Sequence, residues 1–127
     1  FISIHSDAAP ETTLKGASVY TLSDQASRRA TRFVSPNDWF MKASLTGDQG
    51  VRDILFDLTQ RATRNRSAIF AQTLVSQIEG KAPLLRGSHR DAGFMVLLAP
   101  DVPAVLLEMG FVNNPEDEAR LRDPKAR

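Results

Sequence analysis

The first part of the chain alternates short apolar runs with turn-forming stretches. The run "FISI" ends at His5, and the "SDAAP" after it is rich in turn residues. The run "GASVYTLS" is rich in strand formers and ends at Ser23 and Asp24, either of which can cap a helix over "DQASRRATRF". This pattern predicts two strands and a helix. It places His5 at the carboxyl end of a strand, where open α/β sheets hold their active sites.

A polar stretch and then a long helix occupy the middle of the chain. Between residues 35 and 52 the periodicity is lost, although three apolar residues lie there: Trp39, Phe40 and Met41. Helical spacing then predicts one helix over "DILFDLTQRATRNRSAIFAQTLVSQIEG", ending at Gly80. The apolar residues at this spacing are Leu55, Leu58, Ala62, Ile69, Phe70, Leu74 and Ile78.

The last part of the chain predicts two buried strands and a final helix. "AGFMVLLAP" and "AVLLEMGF" are almost continuously apolar, as expected of strands covered on both faces. "NNPEDEARL" begins a helix with Asn114 as its N-cap and Pro115 at its first position. Alternating strands and helices predict an α/β fold with a mixed, mainly parallel sheet flanked by helices. Because the chain begins inside a strand pattern, we expect further N-terminal strands upstream of Phe1.

Composition narrows the class of protein. A chain of 127 residues with 42% hydrophobic and 24% charged residues is typical of one globular domain. The net charge of +1 gives no indication of a nucleic-acid partner, and no apolar run is long enough to span a membrane. The chain has no cysteine, which excludes disulfides and cysteine metal ligands.

Two polar residues at the ends of apolar strands are candidates for chemistry. His5 closes the first strand, and Glu108 interrupts an apolar strand, where an unpaired carboxylate is costly. From the residues alone, Glu108 fits a structural role as well as a functional one. A lone histidine at a strand end, such as His5, is more often a satisfied core or turn residue than a metal ligand. His89 lies in a polar segment that we expect to be a solvent-exposed loop. Two sets of arginines suggest solvated basic helix faces: Arg28, Arg29 and Arg32, and Arg61, Arg64 and Arg66.

Two stretches together resemble a known family. "FISIHSDAA" and, near the C-terminus, "VPAVLLEMGFVNNPEDEARL" resemble the zinc-dependent N-acetylmuramoyl-L-alanine amidases of bacterial cell walls, in particular the division amidases of Gram-negative bacteria. The resemblance covers nearly the whole chain. It implies a peptidoglycan hydrolase that cleaves the amide between N-acetylmuramic acid and L-alanine of the stem peptide. It also implies a role in wall remodelling and daughter-cell separation, and a periplasmic or extracellular location.

The resemblance assigns roles to individual residues. His5 matches a zinc ligand, and Glu108 matches the catalytic carboxylate. We expect Asp7, two residues after His5, to support the ligand or fix the turn. Met109, next to Glu108, stands where the family often has threonine. A substrate contact made by that threonine is therefore not carried over to this chain. Zn²⁺ is the cofactor that the resemblance implies for the complete domain.

The zinc site is incomplete in these 127 residues. The family's other two ligands are a histidine in a "GHGG"-like loop and a glutamate, and both precede the strand with which this chain begins. We therefore expect residues 1–127 to be the C-terminal part of a single amidase catalytic domain. The alternatives are a non-catalytic wall-binding or regulatory module, or an unrelated α/β domain in which His5 and Glu108 lie far apart.

The resemblance also implies a regulatory insertion around residues 24–52. In the division amidases an inserted helix covers the zinc site until an activator protein pulls it away, and here Trp39, Phe40 and Met41 would belong to that segment. Some relatives supply a further zinc-binding glutamate from this helix, but the chain has no glutamate between Glu11 and Glu79. The alternative is a surface loop that packs on the domain through Trp39 and Phe40.

Overall fold

The computed structural model describes residues 1–30 and 48–126, which form a four-stranded sheet with covering helices. The strands are β1 (Ile2–His5), β2 (Ala17–Leu22), β3 (Leu84–Ala92) and β4 (Val105–Glu108). The helices are α1 (Asp24–Ala30), α2 (Gln49–Ile78) and α3 (Pro115–Arg122), with a short 3-10 helix at Met95–Leu97.

The sheet is mixed, as predicted. Its strand order is β1-β4-β2-β3, with β1 parallel to β4, β2 parallel to β3, and β2 antiparallel to β4. Because β1 and β4 run in the same direction, their carboxyl ends share one edge of the sheet. The carboxyl ends of β2 and β3 lie at the opposite edge.

Each face of the sheet has its own apolar cover. On one face, Val19 and Val105 pack with Ala71 of α2. On the other, Leu106 packs with Leu97, and Tyr20 meets Phe94 edge to face with ring centroids 5.4 Å apart. The two central strands, β2 and β4, are therefore covered on both sides.

The helix ends follow the predicted signals. The side chain of Asn114 accepts hydrogen bonds from the amides of Glu116 and Asp117 at the start of α3. The Ser23 hydroxyl accepts from the Ala26 amide at 3.2 Å, so Ser23 rather than Asp24 caps α1. Gly80 follows α2 with a φ of +77°, a conformation that favours glycine.

The buried face of α2 differs from the prediction. Its fully buried positions are Phe56, Gln60, Thr63, Ser67 and Ala71. Leu55, Leu58 and Ile69 are instead 42%, 55% and 64% exposed, although Phe70 and Leu74 do pack on the core. Small hydroxyl side chains allow close approach of the helix, and Ser67 satisfies a buried amide by accepting from Ala104 at 3.0 Å. Hydrogen bonding as well as apolar periodicity therefore selects this face.

The third strand is also not where the apolar pattern placed it. The polar segment Leu84–Ala92 forms β3, whereas the apolar "FMVLL" after it forms the 3-10 turn and folds over Tyr20 and Leu22. Among the described strands, β3 pairs with β2 alone, and several of its side chains are exposed. A strand at a sheet edge does not need continuous apolar sequence.

Strand β1 is the edge strand at the opposite side of the sheet from β3. Ile2 and Ile4 are 43% and 62% exposed, whereas Val19 of β2 and Val105 of β4 are buried against α2. In the described part of the chain, no helix is both long and apolar enough to cross a bilayer.

Candidate functional site

The sheet places His5 and Glu108 side by side. In the parallel pairing of β1 with β4, His5 is the register partner of Glu108 at the shared carboxyl edge. Residues paired in this way project to the same face of a sheet. The two candidates, 103 positions apart in numbering, therefore lie on one face at one strand end, and the far-apart arrangement of an unrelated α/β domain does not occur.

The carboxylate of Glu108 is buried and held by the backbone. Glu108 is 4% exposed, and its Oε1 accepts a hydrogen bond from the Asp7 amide at 2.8 Å. Burial raises the pKa of the Glu108 carboxyl, and it outweighs the Asp7 amide, which lowers it. A buried carboxylate with a raised pKa suits a group that accepts and returns a proton.

His5 is half-buried between two polar neighbours. Its Nε2 lies 2.9 Å from the Ser3 hydroxyl, and its Nδ1 lies 3.4 Å from Oδ2 of Asp7. A carboxylate on one ring nitrogen is the usual support for a histidine that binds metal through the other. Asp7 thus contacts both candidates, His5 through its side chain and Glu108 through its amide.

The described residues do not hold a metal by themselves. None of their His, Asp or Glu side chains form a group of three or more arranged for a metal ion. A catalytic zinc site needs three protein ligands and an open position. Of the expected ligands, this chain supplies His5 alone.

Two loops are joined at this edge of the sheet. The loop after β1 and the loop after β4 exchange hydrogen bonds: Asn113 accepts from the Ala9 amide and donates to the Ala9 carbonyl, and the Val112 amide donates to the Asp7 carbonyl. The Asn114 side chain donates to the Thr12 carbonyl. The position of Asp7 beside Glu108 therefore depends on contacts that sequence spacing did not indicate.

Asp117, in the first turn of α3, is a structural residue that no sequence motif singled out. It is 2% exposed, and its Oδ2 accepts from the amides of Gly16 and Phe111, both at 2.9 Å. Arg120 donates to Oδ1 at 3.0 Å and to the Met109 carbonyl at 2.7 Å. This network fixes the turn that follows Glu108.

The pKa of Asp117 is lowered even though it is buried. Burial, the largest influence, raises the pKa of the carboxyl, but the Phe111 and Gly16 amides and Arg120 together outweigh it. The carboxylate is therefore charged in the folded state.

Other candidates lie away from this edge. The expected exposed loop around His89 is instead part of β3, and His89 is half-buried, with its Nε2 2.9 Å from the Thr21 hydroxyl. Its register partner Val19 packs against α2, so His89 lies on the opposite face from Glu108. Backbone pairing with β2 explains why this polar segment is a strand.

Two arginines of the predicted basic helix faces form ion pairs at the surface. Arg64 contacts Asp24 at 3.0 Å, and Arg61 contacts Asp57 at 2.8 Å. Pairs of this kind contribute little to stability, about 0–1 kcal/mol each. Four residues of the sequence predictions lie outside the described part of the chain: Arg32, Trp39, Phe40 and Met41.

Comparison with known proteins agrees with this geometry. A family model described as Amidase_3, N-acetylmuramoyl-L-alanine amidase, matches residues 1–127. The chain is 32% identical over 127 residues to the amidase AmiC of Escherichia coli, covering 96% of this chain and 30% of AmiC. It is also 32% identical to Escherichia coli AmiA, covering 95% of this chain and 44% of AmiA.

A solved structure shares the fold. The N-acetylmuramyl-L-alanine amidase Ami1 of Mycobacterium smegmatis superposes with a TM-score of 0.60 at 20% identity, covering 98% of this chain and 45% of that chain. The chain thus spans less than half the length of each of these relatives. Since the family model matches its full length, the chain belongs to the Amidase_3 family of N-acetylmuramoyl-L-alanine amidases.

Proposed function

We propose that this chain is the C-terminal part of the catalytic domain of a peptidoglycan hydrolase. The enzyme cleaves the amide between N-acetylmuramic acid and the L-alanine of the stem peptide. The single observation that carries this proposal is the pairing of His5 with Glu108 at one strand end, with Glu108 held by the Asp7 amide. Family membership supplies the reaction class.

Glu108 is the residue that moves protons in this proposal. Its carboxylate takes a proton from the attacking water and delivers it to the nitrogen of L-alanine as the amide breaks. The Asp7 amide fixes one oxygen of the carboxylate, which leaves the other to face the water. The described residues do not form a complete zinc site. We propose His5 as one ligand, with the remaining ligands supplied from outside these residues.

The substitution Glu108→Gln tests this role. In the complete enzyme, it should lower release of stem peptides from purified cell wall by about 10²- to 10⁴-fold, the usual contribution of a general acid–base residue. Zinc content should be unchanged, because the variant keeps the side-chain shape and His5. Glu116→Gln is the matched control, since Glu116 is an exposed acid on α3 whose side chain pairs with Lys15.

Two results would count against the proposal. Full activity in Glu108→Gln would show that Glu108 is not a catalytic residue. A complete protein that binds peptidoglycan but neither binds zinc nor releases stem peptides would instead be a non-catalytic wall-binding module.

The setting of the reaction follows from its substrate. Peptidoglycan lies outside the cytoplasmic membrane, so we propose that the enzyme is exported to the periplasm or the extracellular space. There it would act in wall remodelling and daughter-cell separation, in keeping with the similarity to AmiA and AmiC.

Residues around 24–52 are proposed to be a regulatory insertion. An activator protein would act on it, and Trp39, Phe40 and Met41 are its candidate contact residues. The described helices on either side of residues 31–47 support an insertion between two elements that an ion pair links. Asp24 of α1 pairs with Arg64 of α2, and α2 begins at Gln49.

A further inference from the structure

Ser18 lies directly opposite Glu108 in the sheet. In the antiparallel pairing of β2 with β4, Ser18 is the register partner of Glu108. Directly opposed residues of an antiparallel pair share a face, with Cβ atoms about 4.5–5.5 Å apart. Glu108 is therefore flanked by His5 on β1 and by Ser18 on β2, and its Oε1 accepts a hydrogen bond from the Asp7 amide.

The hydroxyl of Ser18 is buried and makes no hydrogen bond with the described residues. Ser18 is 0% exposed, and within the described residues its Oγ has no hydrogen-bond partner. Most buried side-chain hydroxyls in proteins do have a partner, so an unpartnered one calls for an explanation. Glu108, which faces it, is itself a buried acceptor, and the Asp7 amide accounts for only its Oε1.

The strand is also irregular at this position. The pairing of β2 with β3 shifts register between Ala17 and Val19, so Ser18 lies where β3 departs from a regular ladder. Gly87, on the irregular part of β3, has a φ of +68°. Irregularities of this kind occur beside active sites, where they redirect a side chain.

We infer that Ser18 is a positioning residue for Glu108. Its hydroxyl donates a hydrogen bond to the free oxygen of the Glu108 carboxylate during the reaction cycle and so orients the carboxylate toward the attacking water. The inference rests on the proposed function. Because Ser18 is fully buried, its hydroxyl does not reach the substrate, and it acts through Glu108 alone.

If the Ser18 hydroxyl had a purely structural role, Ser18→Ala would lower the stability of the fold. The burial of this hydroxyl predicts a different result. A buried hydroxyl without a partner destabilises a fold, so Ser18→Ala should leave stability unchanged or raise it. A loss of activity in a variant of undiminished stability would therefore point to the carboxylate and not to folding.

The experiment measures stem-peptide release by the complete, zinc-loaded enzyme and its melting temperature. Ser18→Ala should lower kcat about 10- to 100-fold, the effect of losing one hydrogen bond to a charged group, with KM unchanged. In a Glu108→Gln background the same change should have little further effect on kcat, since the two residues act as a unit.

Thr21→Val is the matched control on the same strand. Thr21 is 4% exposed, lies on the other face of the sheet, and its hydroxyl donates to Asp91 at 2.9 Å. Its removal should lower the melting temperature but leave kcat unchanged. The two variants should therefore show opposite patterns of stability and activity.

Three outcomes separate the inference from the proposed function. Wild-type kcat in Ser18→Ala, with Glu108→Gln inactive, would overturn the role of Ser18 only. An equal kcat loss from Ser18→Ala with and without Glu108 would also overturn it. Full activity in Glu108→Gln would overturn the proposed function, and this inference with it.

Discussion

Individual residues at the site edge are held by buried, charge-assisted hydrogen bonds. Asp117 accepts from two amides and from Arg120, and Arg120 also binds the Met109 carbonyl. A Cβ added at Gly110 would lie 2.6 Å from Arg120 Nη2 and 2.9 Å from the Asp117 carboxyl, so only glycine fits between them. The turn after Glu108 is therefore specified by one glycine and one ion pair.

Removing the Asp117 carboxylate should strongly destabilise the fold. Asp117→Ala leaves two buried amides and Arg120 without their acceptor, and we expect a loss of about 3–5 kcal/mol in the free energy of unfolding. Urea denaturation measures this. Glu116→Ala, one residue earlier and exposed, should change the free energy by less than about 1 kcal/mol. Equal effects of the two substitutions on the free energy of unfolding would contradict the stabilising role of the Asp117 hydrogen bonds.

The same carboxylate makes stability depend on pH in the acid range. The folded-state pKa of Asp117 lies below its ordinary value of 3.8, so its contribution is present above about pH 4. That contribution is lost as the pH falls through the lower folded-state pKa. The stability gap between wild type and Asp117→Asn should therefore narrow below pH 4. A gap that stays constant down to pH 2 would show that the carboxylate charge is not involved.

At the scale of elements, one ion pair links the two helices beside the proposed insertion. Asp24 in α1 contacts Arg64 in α2, and Ser23 caps the start of α1. Four apolar residues of the first turns of α2 are at least two-fifths exposed: Val51, Ile54, Leu55 and Leu58. The connection between α1 and α2 is thus bounded by two helices that an ion pair links.

Deleting the insertion should raise the basal activity of the complete enzyme. If the segment restrains access to the site, its removal opens the site, and deletion of about residues 35 to 50 removes no residue of the four described strands. Stem-peptide release without any activator measures the effect. Activity equal to that of the intact enzyme would favour the alternative, in which the segment is a surface loop packed through Trp39 and Phe40.

At the scale of the whole molecule, the sheet is unevenly covered. The central strands are buried on both faces, but β1 is at the edge with Phe1, Ile2 and Ile4 exposed. The proposed zinc ligand lies on this edge strand. Cover and further ligands for β1 must come from outside the described residues if the site is to bind zinc as proposed.

The 127-residue chain by itself should bind zinc weakly. One histidine ligand falls well short of the three protein ligands that a catalytic zinc site requires. After dialysis against zinc and then buffer, metal analysis should find far less than one zinc per chain, with no difference between wild type and His5→Ala. One retained zinc per chain, lost in His5→Ala, would contradict this.

Several features could be predicted because their signals are local. Asn114 followed by Pro115 predicts the start of α3, and strand formers between turn residues predict β1, β2 and β4. The pair of motifs around His5 and Glu108 indicated the family. By contrast, the apolar pattern predicts the wrong position for β3 and the wrong buried face for α2. Apolar periodicity does not detect a polar edge strand or buried hydroxyls such as that of Ser67.

The sequence by itself determined the candidate residues, most of the elements and the family. Only the tertiary structure decided which residues meet: His5, Ser18 and Asp7 around Glu108, and Asp117 beneath the turn that follows it. The physical reason is that strand register and backbone hydrogen bonds join segments about a hundred residues apart, whereas spacing patterns report only neighbours along the chain.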